Sequence, residues 1–296
     1  MPGTRRGARS LSLMLALLAA TASERGQGEL MPQDNPPPSP QADGHVSGPE
    51  TQADGLVVYR VTSPYQQGET LVRVLAPATL ELPERRRVLF VLPVEAGLAT
   101  RWGDPVGAAR AAGVAERHGF VALLPTFSHL PWYCDHPTDP VRRQESYVLK
   151  VLVPLAERLC PHKASRRALV GYSKSGWGAF SLLLRNPGTF AAAAAWDAPM
   201  MMARPMFGIG EIAGTQENFE RLRVARLLRE HADAVRGAQR LVLMGFGNFR
   251  GDTQQAHALM MRLGIPHQFA DGPHRQHHWE SGWLEEAVKA LRELLP

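Results

Sequence analysis

Arg166-Arg-Ala-Leu-Val-Gly-Tyr-Ser-Lys-Ser-Gly-Trp-Gly-Ala-Phe180 is the stretch that decides the predicted fold. Its pattern predicts a short buried strand over Ala168–Val170, a very tight turn, and a helix that runs from about Lys174 to Leu184. Ser173 lies at the tip of the turn, with small residues two positions before it and two positions after it. This spacing is typical of a nucleophile elbow, in which a strained strand-to-helix turn lifts the serine Oγ clear of the sheet.

An ordinary turn with a serine N-cap is the alternative interpretation of the same residues. The strand before the turn and the long apolar helix after it favour the elbow, because that context is what the motif requires. Ser175 takes the position of the usual second glycine and is small enough to be compatible with it. The backbone N–H of Lys174 would then lie at a helix N-terminus, where it favours an anion and could stabilise an oxyanion.

The composition is that of an ordinary globular protein. The chain has 296 residues, of which 44% are hydrophobic and 21% charged, and its formal net charge is +5. This length is ample for one large domain. No basic stripe and no alternation of basic with aromatic residues is present in the sequence, which argues against a nucleic-acid partner.

The N-terminal segment predicts a secretory signal peptide over residues 1–22. A basic region made by Arg5, Arg6 and Arg9 comes first, and the apolar core Leu11–Ala19 follows it. The next three residues, Ala20-Thr21-Ala22, fit a small-x-small cleavage site. The apolar core is shorter than the roughly 20 residues that a bilayer span needs, so no stable membrane span is expected. The predicted location is secreted or periplasmic.

Residues 23–54 predict a disordered linker, because they include Asn35-Pro-Pro-Pro-Ser-Pro40 and almost no large apolar residues. The catalytic domain is expected over residues 55–296. The only two cysteines, Cys134 and Cys160, could form one disulfide in an oxidising compartment or remain as two buried free thiols. The sequence leaves these two alternatives open.

Strands and helices alternate from Leu56 onward and predict an α/β fold. Leu56–Ser63 and Thr70–Leu75 predict an antiparallel hairpin, and six further strands follow in repeating βα units, at Arg87–Pro93, Phe120–Leu124, Ala168–Val170, Phe190–Trp196, Arg240–Gly245 and Pro266–Phe269. Such a pattern indicates a mostly parallel eight-stranded sheet with helices on both faces.

The position of the elbow after the fifth of eight strands resembles the α/β-hydrolase fold. Within that fold the chain is most similar to the putative-esterase (esterase D-like) branch, on the basis of three segments: Gly171-Tyr-Ser-Lys-Ser-Gly-Trp-Gly178, Leu182-Leu-Leu-Arg-Asn-Pro187 and His277-His-Trp-Glu-Ser-Gly-Trp283. The resemblance implies a serine hydrolase that cleaves carboxylic esters through a Ser-His-Asp triad and an acyl-enzyme. It implies a small-molecule or glycan-linked ester as substrate, and no metal or organic cofactor.

In this fold the triad follows the order serine, acid, histidine along the chain. The resemblance therefore implies a histidine after the eighth strand, in the loop from Asp271 to Trp283. His278, five residues before Trp283, is the preferred base, and His277 is the alternative. A metal site at this histidine-rich loop is disfavoured because the loop has no His-x-x-x-His pair on a helix.

The same resemblance implies an acid after the seventh strand, where Asp252 is the only carboxylate. Asp252 is ranked first, although Asp252-Thr-Gln-Gln255 also fits a capping box for the next helix. Asp197, which follows the sixth strand, is the second candidate. The oxyanion hole is expected to combine the Lys174 backbone N–H with one from the loop after the third strand, supplied by Glu95 or Val94.

Ester hydrolysis is the first functional hypothesis. Acyl transfer to another alcohol is the nearest alternative, because it uses the same chemistry with water excluded. A protein of this fold that binds ligands without catalysis is the alternative from another class, and the uncertain acid keeps it open.

Overall fold

A nine-stranded mixed sheet forms the centre of the protein, whose computed structural model describes residues 44–296. The sheet order is β1-β2-β3-β5-β4-β6-β7-β8-β9. The strands are β1 His45–Thr51, β2 Val57–Thr62, β3 Glu69–Leu75, β4 Arg87–Val91, β5 Phe120–Pro125, β6 Arg167–Tyr172, β7 Ala192–Trp196, β8 Leu241–Phe246 and β9 His267–His274.

The first three strands run antiparallel to their neighbours, and the rest of the sheet is parallel. β1 pairs with β2, β2 with β3 and β3 with β5 in antiparallel register. From β5 through β4 and β6 to β9, every neighbouring pair is parallel. All residues of β5 and β6 are buried, as expected for central parallel strands that are covered on both faces.

Helices cover both faces of the sheet. They are α1 Pro105–Ala111, α2 Gln144–Tyr147, α3 Val153–Leu159, α4 Ser173–Arg185, α5 Ile209–Ala213, α6 Gln216–Leu222, α7 Val224–Glu230, α8 Ala232–Arg236, α9 Arg250–Arg262 and α10 Trp283–Leu294. A π-helical segment, Val148–Leu152, joins α2 to α3. One apolar core contains residues of α1 and α10, and the other contains residues of α3, α4 and α7. The sheet lies between these two cores. Because its strands from β5 to β9 are parallel, their carboxyl ends lie along the same edge of the sheet.

All eight predicted strands are present, with their ends shifted by a few residues, and the α/β-hydrolase prediction is confirmed. The sheet differs from the prediction by one strand, because β1 lies within the segment 23–54 that was expected to be disordered. Most of β1 is exposed, and its backbone pairs with β2. Its order depends mainly on this pairing, with Val46 alone packed against the core, so composition does not reveal it. The predicted signal peptide and the linker up to residue 43 lie outside the described residues.

Both cysteines are buried in the described domain, and neither is in a disulfide. Burial raises the pKa of the Cys134 thiol to about 12 and also raises the pKa of Cys160. Of the two alternatives left open by the sequence, the structure has free thiols. Within residues 44–296, no helix has the length and apolar character needed to cross a bilayer.

Candidate active site

The predicted elbow is present where β6 ends at Tyr172 and α4 begins at Ser173. The φ angle of Ser173 is 51°, in the left-handed region that non-glycine residues rarely adopt. Its backbone N–H donates to the Asp197 carbonyl oxygen at 3.2 Å, which joins the elbow to the loop after β7. Ser173 is 8% exposed. Such local strain at a buried serine is typical of a functional position.

Ser175 stabilises the turn in the place where the motif usually has glycine. Its hydroxyl donates to the Tyr172 carbonyl oxygen at 2.9 Å and accepts from the Tyr172 backbone N–H at 3.1 Å. A Cβ atom on Gly171 would lie 2.5 Å from the Ser175 Oγ, so the first small residue of the motif is required by this close approach. The serine is therefore compatible with the elbow and also satisfies its backbone.

Asp197 is the acid that the fold brings to a histidine. It follows β7 directly, is 1% exposed, and its Oδ2 lies 2.6 Å from Nδ1 of His277. The φ angle of Asp197 is 41°, so the acid, like the serine, occupies a left-handed backbone conformation. This geometry leaves Nε2 of His277 as the ring nitrogen that is free to act on another group.

The loop after β8 holds the Asp197 carboxylate in place. Asn248 donates its backbone N–H to Oδ2 at 3.0 Å, and Phe249 donates to Oδ1 at 2.6 Å. A Cβ atom on Gly247 would lie 2.3 Å from Oδ2, so only glycine permits this approach. The loop that was expected to contain the acid instead supplies hydrogen-bond donors to a carboxylate just after the neighbouring strand β7.

His277 lies among aromatic side chains. Its ring centroid is 5.1 Å from that of Tyr172, 5.5 Å from Trp102 and 5.7 Å from Phe249. Trp102 is itself fixed, because its carbonyl oxygen accepts from Trp279 N–H and from the Tyr172 hydroxyl, each at 3.0 Å. The packing and the Asp197 hydrogen bond together limit the orientations available to the imidazole.

The structure does not bring the two preferred candidates, His278 and Asp252, together with Ser173. His278 Nδ1 pairs with Glu280 Oε2 at 2.6 Å, and its ring covers Gly103. Asp252 lies in the first turn of α9, where its Oδ1 accepts from the Met201 backbone N–H at 2.8 Å. Partial burial raises the pKa of Asp252, and the hydrogen bond from Met201 opposes that shift. Both residues therefore join loops to neighbouring elements, and the alternatives His277 and Asp197 form the acid–histidine pair.

Of the expected oxyanion donors, Lys174 and Val94 border the same cleft as Ser173 and Glu95 does not. Lys174 is the second residue of α4, and Val94 lies just beyond the end of β4 with a buried side chain. Both line the cleft, whereas Glu95 directs its Oε2 to the Trp102 backbone N–H at 3.2 Å. The Tyr133 hydroxyl donates to the Pro93 carbonyl oxygen and so ties this loop to the residues that pack on α4.

A cleft of about 210 Å³ opens at this edge of the sheet. Ser173 and His277 line it together with aromatic side chains; the lining residues are Val94, Trp102, Tyr172, Ser173, Lys174, Phe207, Asn248, Phe249 and His277. Phe207 is 49% exposed and packs edge-to-face against Phe249 at 5.7 Å. The cleft lies at the carboxyl ends of the parallel strands, where open α/β sheets bind their ligands.

Sequence reasoning missed the aromatic lining, above all Trp102 and Phe207, because both come from loops distant in sequence from the elbow. The segment Pro131–Pro137 belongs in part to the core: Trp132, Tyr133 and Cys134 are all fully buried. Within the described part of the chain, no group of three or more His, Cys, Asp or Glu side chains is arranged to hold a metal ion.

Residues 129–263 match a family model described as Putative esterase. The matched segment includes the elbow, Asp197 and the loop after β8. This match confirms the resemblance predicted from the sequence. No curated protein sequence is similar enough to this chain to count as a match.

Several solved structures share the fold. S-formylglutathione hydrolase from Agrobacterium tumefaciens has a TM-score of 0.64 at 17% identity, covering 85% of this chain and 99% of that chain. The fluorophosphonate-binding serine hydrolase F of Staphylococcus aureus has a TM-score of 0.65 at 17% identity, covering 80% and 98%. A ferulic acid esterase has a TM-score of 0.60 at 18% identity, covering 86% and 100%.

At identities of 17–18%, the structural similarity establishes a common fold and nothing further. The Putative esterase match indicates the chemical class. From these findings the chain is a carboxylic ester hydrolase with the α/β-hydrolase fold, similar to the esterase D-like branch.

Proposed function

We propose that the chain hydrolyses carboxylic esters through an acyl-enzyme on Ser173, with His277 as general base and Asp197 as the residue that orients it. The observation that carries this proposal is the buried hydrogen bond of 2.6 Å between Asp197 and His277, next to a cleft that Ser173 lines. A carboxylate bound to Nδ1 fixes the imidazole tautomer, so that Nε2 can accept the serine proton.

The reaction then follows from these positions. Ser173 Oγ attacks the acyl carbon while His277 takes its proton, and a tetrahedral oxyanion forms. The oxyanion is stabilised by the backbone N–H of Lys174 and by one from the loop at Val94 and Glu95. His277 returns the proton to the leaving alcohol, and water repeats the sequence on the acyl-enzyme. Every step uses side chains and backbone groups of this chain.

The predicted signal peptide extends the proposal to location. Residues 1–22 combine three arginines, a short apolar core and a small-residue cleavage site. We expect the mature protein to begin at Ser23 in the secreted or periplasmic fraction. N-terminal sequencing of that fraction tests this, and retention of Met1 would contradict it.

Fluorophosphonate labelling tests the nucleophile. The purified wild-type protein is expected to be labelled and to show a burst of product with p-nitrophenyl acetate, because acyl-enzyme accumulates before it is hydrolysed. The Ser173→Ala variant is expected to lose both signals. Labelling of neither protein would overturn the proposal and favour a non-catalytic binding protein.

The adjacent histidines provide a matched pair for the base. His277→Ala is expected to lower kcat by about 10⁶-fold, the loss found when the histidine of a triad is removed. His278→Ala is expected to stay within about tenfold of wild type, because its ring pairs with Glu280 and not with the acid. The reverse order of effects would return His278 to the role of base.

A further inference from the structure

The Lys174 side chain is a cation in the cleft without a partner. Lys174 lines the cleft together with Ser173, and its side chain is half-buried. Within residues 44–296 its ammonium takes part in no hydrogen bond and no ion pair within 4 Å. The backbone of Lys174 already has a proposed role in the oxyanion hole, but this role does not require a lysine side chain.

The environment disfavours the charge. Burial lowers the pKa of Lys174, the Arg101 guanidinium lowers it further, and the Glu95 carboxylate partly opposes both effects. A half-buried cation without a counterion has lost part of its hydration, and an anionic group of a ligand in the cleft would compensate for that loss.

The acids around the cleft do not supply that partner. Asp197 is engaged by His277 and by the backbone N–H groups of Asn248 and Phe249. Glu95 uses Oε2 to accept from Trp102 and lies beyond ion-pair distance of Lys174. Arg101 stacks over the Trp102 ring at 5.0 Å and adds a second positive charge at the same rim.

From these contacts we propose that the cleft selects esters that carry a free carboxylate, which the Lys174 ammonium binds. The proposal rests on the proposed ester hydrolysis and specifies its substrate class. Lys174 follows the nucleophile directly, so the carboxylate must lie within one lysine side chain of the reacting carbonyl. Monoesters of short dicarboxylic acids and acylated hydroxy acids have this arrangement. The aromatic lining made by Trp102, Phe207 and Phe249 would contact the uncharged part of such a substrate.

Two pairs of esters test the proposal and distinguish the side on which the carboxylate lies. Mono-p-nitrophenyl glutarate is compared with p-nitrophenyl valerate for the acyl side, and 4-acetoxybenzoate with phenyl acetate for the alcohol side. The readout is the ratio of kcat/KM for the anionic ester to that for its neutral counterpart, measured within one protein. A general loss of activity in a variant affects both esters of a pair and leaves the ratio unchanged. A difference in intrinsic reactivity between the two esters is the same for every protein, so it does not affect the comparison of ratios between wild type and variant.

Lys174→Met is expected to lower this ratio by about ten- to a hundredfold for at least one pair, as expected for a hydrogen bond between two charged groups. Lys174→Arg should retain most of the preference, and Lys163→Met is the control, because Lys163 is exposed and lies outside the cleft lining. The wild-type ratio should also fall as salt is raised.

An unchanged ratio in Lys174→Met for both pairs would overturn the inference, while hydrolysis that still depends on Ser173 would leave the proposed function intact. Hydrolysis that persists in Ser173→Ala would instead refute the proposed function. If Lys174→Met does not fold, inhibition of the wild-type enzyme by an anionic and a neutral ester tests the same preference for a carboxylate. Monomethyl glutarate should inhibit hydrolysis of p-nitrophenyl valerate at least tenfold more strongly than methyl valerate, and equal inhibition would contradict the proposal.

Discussion

At the scale of single residues, the two aspartates that the sequence offers as candidates for the triad acid have different surroundings. Asp197 is almost fully buried and accepts from His277 and from two backbone N–H groups. Asp252 is half-buried, and its Oδ1 accepts from the Met201 backbone N–H. Only Asp197 is placed to orient an imidazole, so substitution of each by asparagine separates a catalytic role from a structural one.

Asp197→Asn is expected to lower kcat for p-nitrophenyl acetate by about 10⁴-fold, because the amide would leave His277 in the wrong tautomer. Asp252→Asn, the matched control, is expected to remain within about tenfold of wild type, since an amide oxygen can still accept from Met201. Steady-state kinetics on the two purified variants checks both values. A larger loss in Asp252→Asn than in Asp197→Asn would restore Asp252 as the acid.

The pH dependence of stability should identify Asp252 independently. Burial raises the pKa of Asp252 above its ordinary value of 3.8, so the folded state holds this proton more tightly than the unfolded state. The contribution of Asp252 to stability therefore falls as pH rises from about 3.8 through the raised pKa, and Asp252→Asn lacks this contribution. The Tm of Asp252→Asn minus the Tm of wild type should therefore increase as pH rises across that interval.

Asp271 provides a control of opposite sign. The hydrogen bond from Arg250 is the main reason that its pKa is lowered, so the contribution of Asp271 to stability grows as pH rises toward 3.8, and Asp271→Asn lacks this contribution. Thermal unfolding of both variants between pH 3 and pH 7 should give trends of opposite direction. Equal trends would contradict the environment assigned to Asp252.

At the scale of elements, the loop Gly245–Phe249 shows why the pairing of Asp197 with His277 was hard to predict. The sequence has a polar, glycine-rich loop after β8 and a carboxylate shortly after it, Asp252 in α9, which fits the expected order of the triad. Folding brings the backbone N–H groups of that loop to the carboxylate of Asp197, in the loop after the neighbouring strand β7. This relation depends on the distance between two adjacent loops, and nothing in either segment alone specifies it.

Gly247→Ala tests this loop as a support for the acid. The added Cβ would lie 2.3 Å from Asp197 Oδ2, so either the loop or the carboxylate must move. We expect kcat to fall by about 10²-fold, as for a displacement of about 1 Å near the reacting groups. Gly251→Ala, four residues along the chain, is the control, because its Cβ would meet no atom within 4 Å.

That control should retain wild-type turnover and gain slightly in Tm, since alanine is favoured over glycine inside a helix such as α9. Measurement of kcat and of thermal unfolding on both variants completes the test. Full activity in Gly247→Ala would show that the carboxylate tolerates the intrusion and that the loop is not its support.

At the scale of the whole molecule, local sequence patterns predicted the individual strands and helices but not every pairing between strands. Buried strands such as Phe120–Pro125 are continuous apolar runs, and helices such as α10 repeat apolar residues at helical spacing, so both could be identified from the sequence. The elbow could be predicted because strand, turn and helix are contiguous. β1 could not, because it is ordered by backbone pairing with β2 while most of its side chains are exposed.

The state of the cysteines is a prediction for the entire domain, because each thiol is accessible only if the surrounding core opens. Cys134 and Cys160 are free, at most 1% exposed, and have pKa values raised by burial. Thiolate is the reactive form, so a thiol reagent such as Ellman's reagent should label neither cysteine in the native protein at pH 8. Two thiols per chain should appear after unfolding in guanidinium without reductant. Their absence in the unfolded protein would mean that the chain contains a disulfide, and the packing of both core residues would then have to differ from the structure.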